Sequence, residues 1–536
     1  MIPFSTTSLP EPAACIVRNL IDRHGRERPA ETFVAFSSGE SDWTWGEILD
    51  EVRKTAALLR RLGVRQGDHV AMWLPNGRAA MRAWFAVNYL GAVIVPLNQA
   101  YRGRLLEHAI TLSDATIMFA HPDLVARLED VELAALTTLL VDGGGVTPPR
   151  GLQVIDPAQA GAPEDLALKR PPQPWDVAAI IFTSGTTGPS KGVIVTYAQM
   201  YFSAVHQTVP IGPGDRALLH SPLFHVAGMG AVYRAMVSGG SVGLLDRFST
   251  PTFWADVRRV GATRATMMGS MATFLLSQPI SEDERLTPLK TVIIAPVSPD
   301  TVALARRADM TWFTTFNMSE TSFPVISELR PEKVGTCGKP RAGVEARVVD
   351  EHDIEVAPGE IGELILRTDI PWSLTPGYYK NPEATARAWR NGWFHTGDAF
   401  RVDGDGDFLF IDRLKDAIRR RGENISSYEV EVEVCAHPAV EDAAAVAVPS
   451  EYGEDEVLVV IELRKDAALS PEDLLRFLQP RMAHFMLPRY VRIVGALPRT
   501  PTYKVQKHLL RSEGITSDAW DREAAGFIVS RDRIGS

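Results

Sequence analysis

Cysteine is nearly missing from this chain: three, Cys15, Cys337 and Cys435, in 536 residues. Widely spaced and odd in number, they form neither a disulfide framework nor a metal-ligand pattern, so a reducing, cytoplasmic setting is the expectation. Basic charge is in deficit as well. Fifty-six Lys and Arg stand against 66 Asp and Glu, a formal charge of −10. That balance argues against nucleic acid or an anionic membrane as partner and makes any basic site local. No uncharged apolar run reaches about 18 residues, the length of a membrane span. The opening MIPFSTTSLPEPAACIVRNL lacks the basic-then-apolar pattern of a secretion signal. Internal repeats and low-complexity tracts are absent too, and a soluble globular protein is expected.

Apolar residues make up 45% of the chain, ample for a large core. At roughly 100–200 residues per domain the length allows three or four folding units that can share cores. The runs HVAMWLP, AVIVPLN, TIMFAHP, TTLLVDG, AAIIFTSG, SVGLLDR, TVIIAPV and ARVVD read as strands bounded by Gly, Pro, Asn or Asp. Helical periodicity lies between them. In TWGEILDEVRKTAALLRRLGV, Trp45, Ile48, Leu49, Val52, Leu58, Leu59 and Leu62 recur at spacings of three and four, one buried face. Alternation of this kind predicts an α/β fold of largely parallel sheets flanked by helices, with ligands beyond the carboxyl ends of strands. From about residue 340 to 411, ARVVDEHDIEVAPGEIGELILRT and its surroundings read as a small β-subdomain. Beyond DRLKDAIRRRGEN, residues 412–424, mixed helix and strand signals predict a compact α+β domain of normal size. The expected division is 1–414 and 415–536.

The strand DVAAIIF empties into TSGTTGPSKG, residues 183–192. Backbone N–H groups and hydroxyls in such a loop can ring a phosphate. The Walker spacing G-x-x-x-x-G-K-[ST] is not met, because five on from Gly185 is Ser190 and five on from Gly188 is Val193. Alone, the loop reads equally well as a tight strand-to-helix turn. The other polar clusters also have plain readings when taken singly. His225 in SPLFHVAGMG is either a packed histidine or the wall of an apolar pocket where Gly228 and Gly230 let a ligand approach backbone. Glu320 in TTFNMSET is a surface charge or, beside a phosphate loop, a magnesium ligand. Asp398 in NGWFHTGDAF suits turn chemistry or ribose hydroxyls. Lys504 in LPRTPTYKVQK and the arginines of DRLKDAIRRRGEN read first as solvated charges.

In this order, however, TSGTTGPSKG, PLFHVAG, FNMSET, GTCGKP, GEIGEL, GYYKNPEATARAW, GWFHTGD, DRLKDAIRRRGENIS and LPRTPTYKVQK closely resemble the adenylate-forming superfamily of acyl-CoA synthetases, adenylation domains and beetle luciferases. The resemblance covers nearly the whole chain. FNMSET and GENISSYEVEVEV look most like the bacterial crotonobetaine/carnitine-CoA ligase-like branch, as does the missing Gly-Gly before Ala295-Pro296. It implies an enzyme that activates a carboxylic acid with ATP, releases pyrophosphate and passes the acyl group from AMP to a thiol. It also implies a C-terminal domain that moves about a hinge at Lys415.

The resemblance implies the following roles. Thr183, Ser184, Gly185, Thr186, Thr187, Gly188 and Lys191 hold the β- and γ-phosphates, and Glu320 positions Mg²⁺. Phe316 lies against the adenine, Asn317 meets its amino group, and Ala295, Met318 and Ser319 belong to the same nucleotide wall. Asp398 takes the ribose hydroxyls and Arg413 a ribose or phosphate oxygen. Lys504 reaches the forming acyl-phosphate as the principal catalytic group. Gly422 lines the thiol tunnel, and Arg419, Arg420 and Arg421 contact phosphates of coenzyme A. Three stretches depart from the family pattern: Pro501-Thr502-Tyr503-Lys504 for Pro-Thr-Gly-Lys, Ile293-Ile294-Ala295-Pro296 for Gly-Gly-Ala-Pro, and Ser319 for Thr.

By family position the acyl pocket draws on His225, Val226, Gly228, Met229, Met268, Gly269, Ser270 and Val297. None of them is a lysine or arginine for a second carboxylate, which points to a hydrophobic monocarboxylate. The expected partners are that acid, ATP and CoA, with a carrier protein and a second copy of the chain (a homodimer) as further readings. Three functions compete: an acyl-CoA ligase, an acyl-AMP ligase loading the phosphopantetheine of a carrier protein, and a catalytically dead acyl-binding scaffold. Loss of Glu320 or Lys504 would have favoured the scaffold; both are present.

Overall fold

The computed structural model describes residues 8–527 apart from 102, 130, 134, 148, 164–165, 184–189, 414–417, 421–422, 426, 451–454, 480, 483–485 and 501–503. The chain divides into two compact units. One comprises Met1–Ala346 with Leu366–His395; the other comprises Arg347–Ile365 with Thr396–Ser536.

The first unit is built on two seven-stranded sheets. Strands β1 (Thr32–Phe36) and β2 (Trp43–Thr44) begin one of them. The chain then makes β3 (His69–Trp73), β4 (Val93–Pro96), β5 (Ile117–Ala120), β6 (Thr138–Leu140), β7 (Gln153–Ile155), β8 (Val177–Thr183) and β9 (Lys191–Thr196). These seven form the other sheet, in the order β7-β6-β5-β3-β4-β8-β9. It returns to the first sheet through β10 (Arg216–Leu219), β11 (Ser241–Leu244), β12 (Arg264–Met268), β13 (Thr291–Ala295) and β14 (Thr311–Phe313), giving β14-β13-β12-β10-β11-β1-β2. All neighbours are parallel except β1/β2 and β8/β9. Both faces of a parallel sheet are covered by helices, which is why β4, β5 and β6 are buried at every position instead of alternating.

The predicted amphipathic helix is α1 (Trp45–Arg61). Thr44 accepts from the Glu47 N–H while the Glu47 carboxylate accepts from the Thr44 N–H, a capping box that fixes its start. Trp45, Ile48, Leu49, Val52, Leu58 and Leu59 are buried, and Leu62 packs against the same core.

All eight apolar runs picked out above contain strands, the last as Val344–Val349. Other strands gave no such signal: β1, β10 and β12 are short, and β9 begins at the lysine of the glycine loop itself. The loop after β8 therefore leads into a returning antiparallel strand, Thr183 opposite Lys191, where a helix start was the simpler reading.

In the second unit, Asp398 stands opposite Arg413 where Trp393–Val402 pairs with Phe408–Arg413. Farther on, strands Val440–Pro449, Asp455–Leu463, Tyr490–Val494 and Trp520–Asp521 form a mixed sheet in that order. Its core joins Val457, Val459 and Ile461 to Leu474, Leu475 and Leu478 of the helix Pro471–Leu478. Among the described residues no helix is long and apolar enough to cross a membrane.

Candidate functional site

The flanks of the glycine loop are held firmly. His108 Nε2 donates to the Ser190 carbonyl at 2.8 Å. A Cβ on Gly192 would come within 2.8 Å of Ile180, so the β8–β9 hairpin closes tightly only with glycine there. Segment 377–379 lies along the other side of β9: Ile194 N–H donates to Gly377 O and Tyr379 N–H to Gly192 O. This places Tyr378 with its ring 4.7 Å from Lys191 Nζ and its hydroxyl 2.9 Å from Glu320 Oε1. Lys191 and Glu320, 129 positions apart in sequence, thus meet two sides of one tyrosine.

Glu320 is only 6% exposed. Its backbone carbonyl accepts from Thr375 N–H at 2.8 Å. On helix α2 (Tyr197–Val205), the buried Gln199 donates Nε2 to the carbonyls of Ser319 (2.8 Å) and Thr321 (3.3 Å). Asn317 Oδ1 accepts from Thr321 Oγ1 and Phe323 N–H, both at 3.0 Å, which closes the FNMSET turn on itself. A carboxylate fixed by a tyrosine hydroxyl and a braced backbone keeps its second oxygen in one place, and that suits a hard cation.

The carboxyl ends of β12 and β13 bring Met268 beside Ala295. Met268, Gly269 and Ala295 are half-buried; Phe316 is buried and lies three residues past the end of β14. This is the edge where an open parallel sheet binds its ligands. His225 is the N-cap of α3 (Val226–Ser238), its ring nitrogen Nδ1 accepting from Ala227 N–H at 3.2 Å. Val226 is half-buried.

Three expected pocket residues have other work. A Cβ on Gly228 would lie 2.2 Å from the Pro222 carbonyl oxygen, so this glycine lets helix α3 pack on its own preceding turn, with no space for a ligand. Met229 and Val297 belong to the apolar cores and back the site from behind. The Ser270 side chain lies outside the described residues.

In the second unit, Asp398 is buried, and its N–H donates to Thr396 Oγ1. Lys504 is exposed at the end of a turn closed twice: Thr500 N–H donates to Lys504 O at 2.8 Å and Lys504 N–H to Thr500 Oγ1 at 3.1 Å. Three residues on, Lys507 donates to Ser427 Oγ and pairs with Glu431 at 2.8 Å, tying this motif to α4 (Ser427–Cys435). Burial pushes the Glu431 carboxyl up to about 7 against the pull of Lys507.

Arg420 is placed differently from its expected role. It is 2% exposed and paired at 2.7 Å with Glu456, itself buried, and it donates to Leu487 O. A phosphate in solvent does not reach it. Ser184, Gly185, Thr186, Thr187, Gly188, Lys415, Arg421 and Gly422 lie outside the described residues, as do the side chains of Arg413 and Arg419. Tyr378 and Gln199 were not read from the sequence as site residues. The only signal was the Gly-Tyr-Tyr of GYYKNPEATARAW, whose partner is remote in sequence.

Comparison with known proteins gives the family and the fold. The family model described as AMP-binding enzyme matches residues 21–379, and that of the AMP-binding enzyme C-terminal domain matches 429–504. A crotonobetaine/carnitine–CoA ligase of Salmonella arizonae is 28% identical over 497 residues, covering 90% of this chain and 96% of the relative. A feruloyl-CoA synthase of an Amycolatopsis species is 32% identical over 498 residues, covering 91% and 97%. Among solved structures, ATP-bound MatB from Rhodopseudomonas palustris superposes with a TM-score of 0.78 at 26% identity, covering 93% and 98%. The anthranilate CoA ligase AuaEII, in complex with anthranoyl-AMP, reaches 0.83 at 21% identity over 93% and 96%, a likeness of fold.

Proposed function

This chain belongs to the AMP-binding enzyme family, and from that footing we propose that it is an acyl-CoA ligase for a carboxylic acid with an apolar body. The observation that carries the reading is Glu320, buried and held by Tyr378, on whose ring Lys191 of the glycine-hydroxyl loop also rests. That is a nucleotide-phosphate site with a fixed cation and a fixed carboxylate.

The chemistry follows from charge. In the first step a carboxylate oxygen attacks the α-phosphorus of ATP, forming the acyl–O–P bond as the bond to the β-phosphate breaks and pyrophosphate leaves. Two anions must be brought together, so repulsion has to be cancelled and the reactants aligned; alignment alone supplies up to ~7–11 kcal/mol. Lys191 and the loop amides hold the departing phosphates, and Lys504 stabilises charge developing at the reacting oxygens. Glu320 fits Mg²⁺ by its chemistry: one oriented carboxylate with phosphate oxygens and waters as the remaining ligands is how this ion is usually held. When bound, Mg²⁺ supplies neutralisation of the phosphate charge. Asp398 receives the ribose hydroxyls, and Phe316 with Ala295 walls the adenine.

In the second step the thiol of CoA attacks the acyl carbon, the thioester forms, the C–O bond to AMP breaks and the thiol proton is released. Lys415 serves as the hinge between the steps, and Gly422 leaves room for the pantetheine arm. CoA is favoured over a carrier protein because the named relatives of similar length are themselves CoA ligases and synthases. Cytoplasmic residence accords with three cysteines, too few and too widely spaced for a disulfide framework.

The test is AMP release from ATP with and without CoA across fatty, aromatic, terpenoid and steroid-type acids. CoA-dependent AMP formation with one class confirms the ligase. Pyrophosphate release with accumulation of acyl-AMP, unchanged by CoA, overturns CoA as the acceptor.

A further inference from the structure

A cavity of about 30 Å³ lies between helix α3 and the amino-terminal part of β12 and β13. Arg264 and Thr291 stand opposite each other at the first position of these strands, the far end from Met268 and Ala295. The polar lining comes from Arg234, Arg264, Thr266, Thr291 and Gln207, and no lining residue is acidic. Arg264 pairs through Nη2 with Asp215 at 3.0 Å. That carboxylate also accepts from Gly212 N–H and Thr263 Oγ1, both at 2.9 Å. The Nε and Nη1 groups of Arg264 are buried and have no hydrogen-bond partner. Arg234, inside the otherwise uncharged helix VAGMGAVYRAMVS, is 8% exposed and has neither an ion pair nor a hydrogen bond among the described residues; its guanidinium lies 5.6 Å from the Phe323 ring. Burial pulls its pKa down to about 10, so it remains a cation at neutral pH. Two guanidinium groups against one carboxylate leave one positive charge uncompensated by the described chain. A buried cation without a counter-charge is unfavourable, and an aromatic face offsets only a small part of that.

We propose that this cavity is a binding site for a monatomic anion of the halide class, chloride above all, held between the guanidinium groups of Arg234 and Arg264. The site stands apart from the nucleotide and acyl residues, so it goes beyond the ligase reading and does not depend on it.

Size and charge select the occupant. Roughly 10–15 Å³ of such space holds one water. The 30 Å³ present admits a single larger ion. A phosphate, a sulfate or a carboxylic acid has several heavy atoms and does not fit. Water fits by size, but its two lone pairs meet two donors and bring no charge. Each arginine carries five N–H donors and no acceptor, so the two side chains leave more donors unmet here than one water can accept. A halide accepts from several donors at once, the Thr266 and Thr291 hydroxyls included, and supplies the charge. Bound there, it ties α3, the helix that His225 caps, to β12, and it stabilises the folded chain by mass action.

The experiment melts the full chain while sodium chloride replaces sodium gluconate stepwise at constant ionic strength, which keeps screening unchanged. Wild type, Arg234→Met and Arg234→Lys are compared. Chloride should raise the wild-type midpoint by about 2–4 °C along a saturating curve. Arg234→Met should melt at one temperature in both salts, and Arg234→Lys, which keeps the charge, should keep part of the rise. A flat wild-type curve, or a rise that Arg234→Met reproduces, overturns the assignment. A wild-type crystal grown in sodium bromide gives a second reading that no folding defect of a variant can disturb. An anomalous peak in contact with both guanidinium groups, together with the saturating wild-type rise, upholds the site even if Arg234→Met does not fold. No peak there, or bromide at the surface alone, overturns it. A peak with a flat wild-type curve is an adventitious ion only and overturns it too.

Discussion

Tyr378→Phe removes one oxygen atom and isolates the contact that orients the carboxylate. The ring stays, so the approach of Lys191 to its face is kept. What is lost is a hydroxyl donating to Glu320 Oε1 at 2.9 Å. Hydrogen bonds to charged groups contribute ~1.5–3 kcal/mol, and water replaces such a donor easily at an exposed carboxylate. Glu320 is only 6% exposed, so replacement is poor and the upper half of that range applies. At 1.36 kcal/mol per tenfold, 2–3 kcal/mol corresponds to a fall of about 30–150-fold in kcat/KM for ATP, measured by pyrophosphate exchange. The same change in a Glu320→Gln background should have a much smaller effect, since a neutral amide oxygen is a weaker acceptor. Activity within threefold of wild type, or an equal loss in both backgrounds, would refute the idea that Tyr378 acts by holding this carboxylate.

Lys504→Ala should abolish adenylation and leave transfer from supplied acyl-AMP largely intact; equal loss of both half-reactions would remove it from its assigned place. Gly228→Ala should lower the thermal midpoint, with overpacking of ~1–3 kcal/mol expected because the new methyl collides with the Pro222 carbonyl; an unchanged melt would contradict the close approach. Glu456→Gln leaves Arg420 buried without its counter-charge and should destabilise the second unit by about 3–5 kcal/mol in denaturant titration. His24 has its pKa lowered to about 3 by burial and then by the charge of Arg28, with Nδ1 accepting from Arg28 Nε and Nε2 donating to Met236 O. Between about pH 6.5 and 3 the unfolded chain binds a proton that the folded one refuses, so this contribution is complete above 6.5 and is lost on acidification. Melting at pH 7 and pH 5 should show the wild type losing more than His24→Gln, and parallel losses would count against it.

The α/β plan was legible because β4, β5, β6, β8 and β13 are buried on both faces and so appear as unbroken apolar runs. β10 and β12 escaped because RALL and RATMM open on arginines, Arg216 donating to Val260 O and Arg264 paired with Asp215. The chemistry-bearing residues were legible as identities: Glu320, Asp398, Lys191 and Lys504 stand in long motifs. Their partners were not. Tyr378 is 58 positions from Glu320, and Thr375, which donates its hydroxyl hydrogen to Ile194 O, is 181 positions from it. Only the folded chain supplies such pairs.

Arg420 and Arg234 show how far the same limit reaches. Both are arginines in stretches where sequence pattern alone makes a charge look routine. Within RRRG, Arg420 reads as one of a solvated basic run, yet the hairpin Ile418–Arg420/Glu423–Ile425 alternates its faces and turns this residue inward, where Glu456 meets it. Within VYRAM, Arg234 reads as an interruption of an apolar helix. An arginine inside a buried helix face is itself a signal, because burying an ion is unfavourable unless something compensates it. For Arg420 the compensation is in the chain. For Arg234 the described residues offer the face of the Phe323 ring, 5.6 Å from the guanidinium. Glu456→Gln tests the reading of Arg420: loss of that counter-charge should lower the melting midpoint of the second unit, and an unchanged melt would return Arg420 to the solvated run.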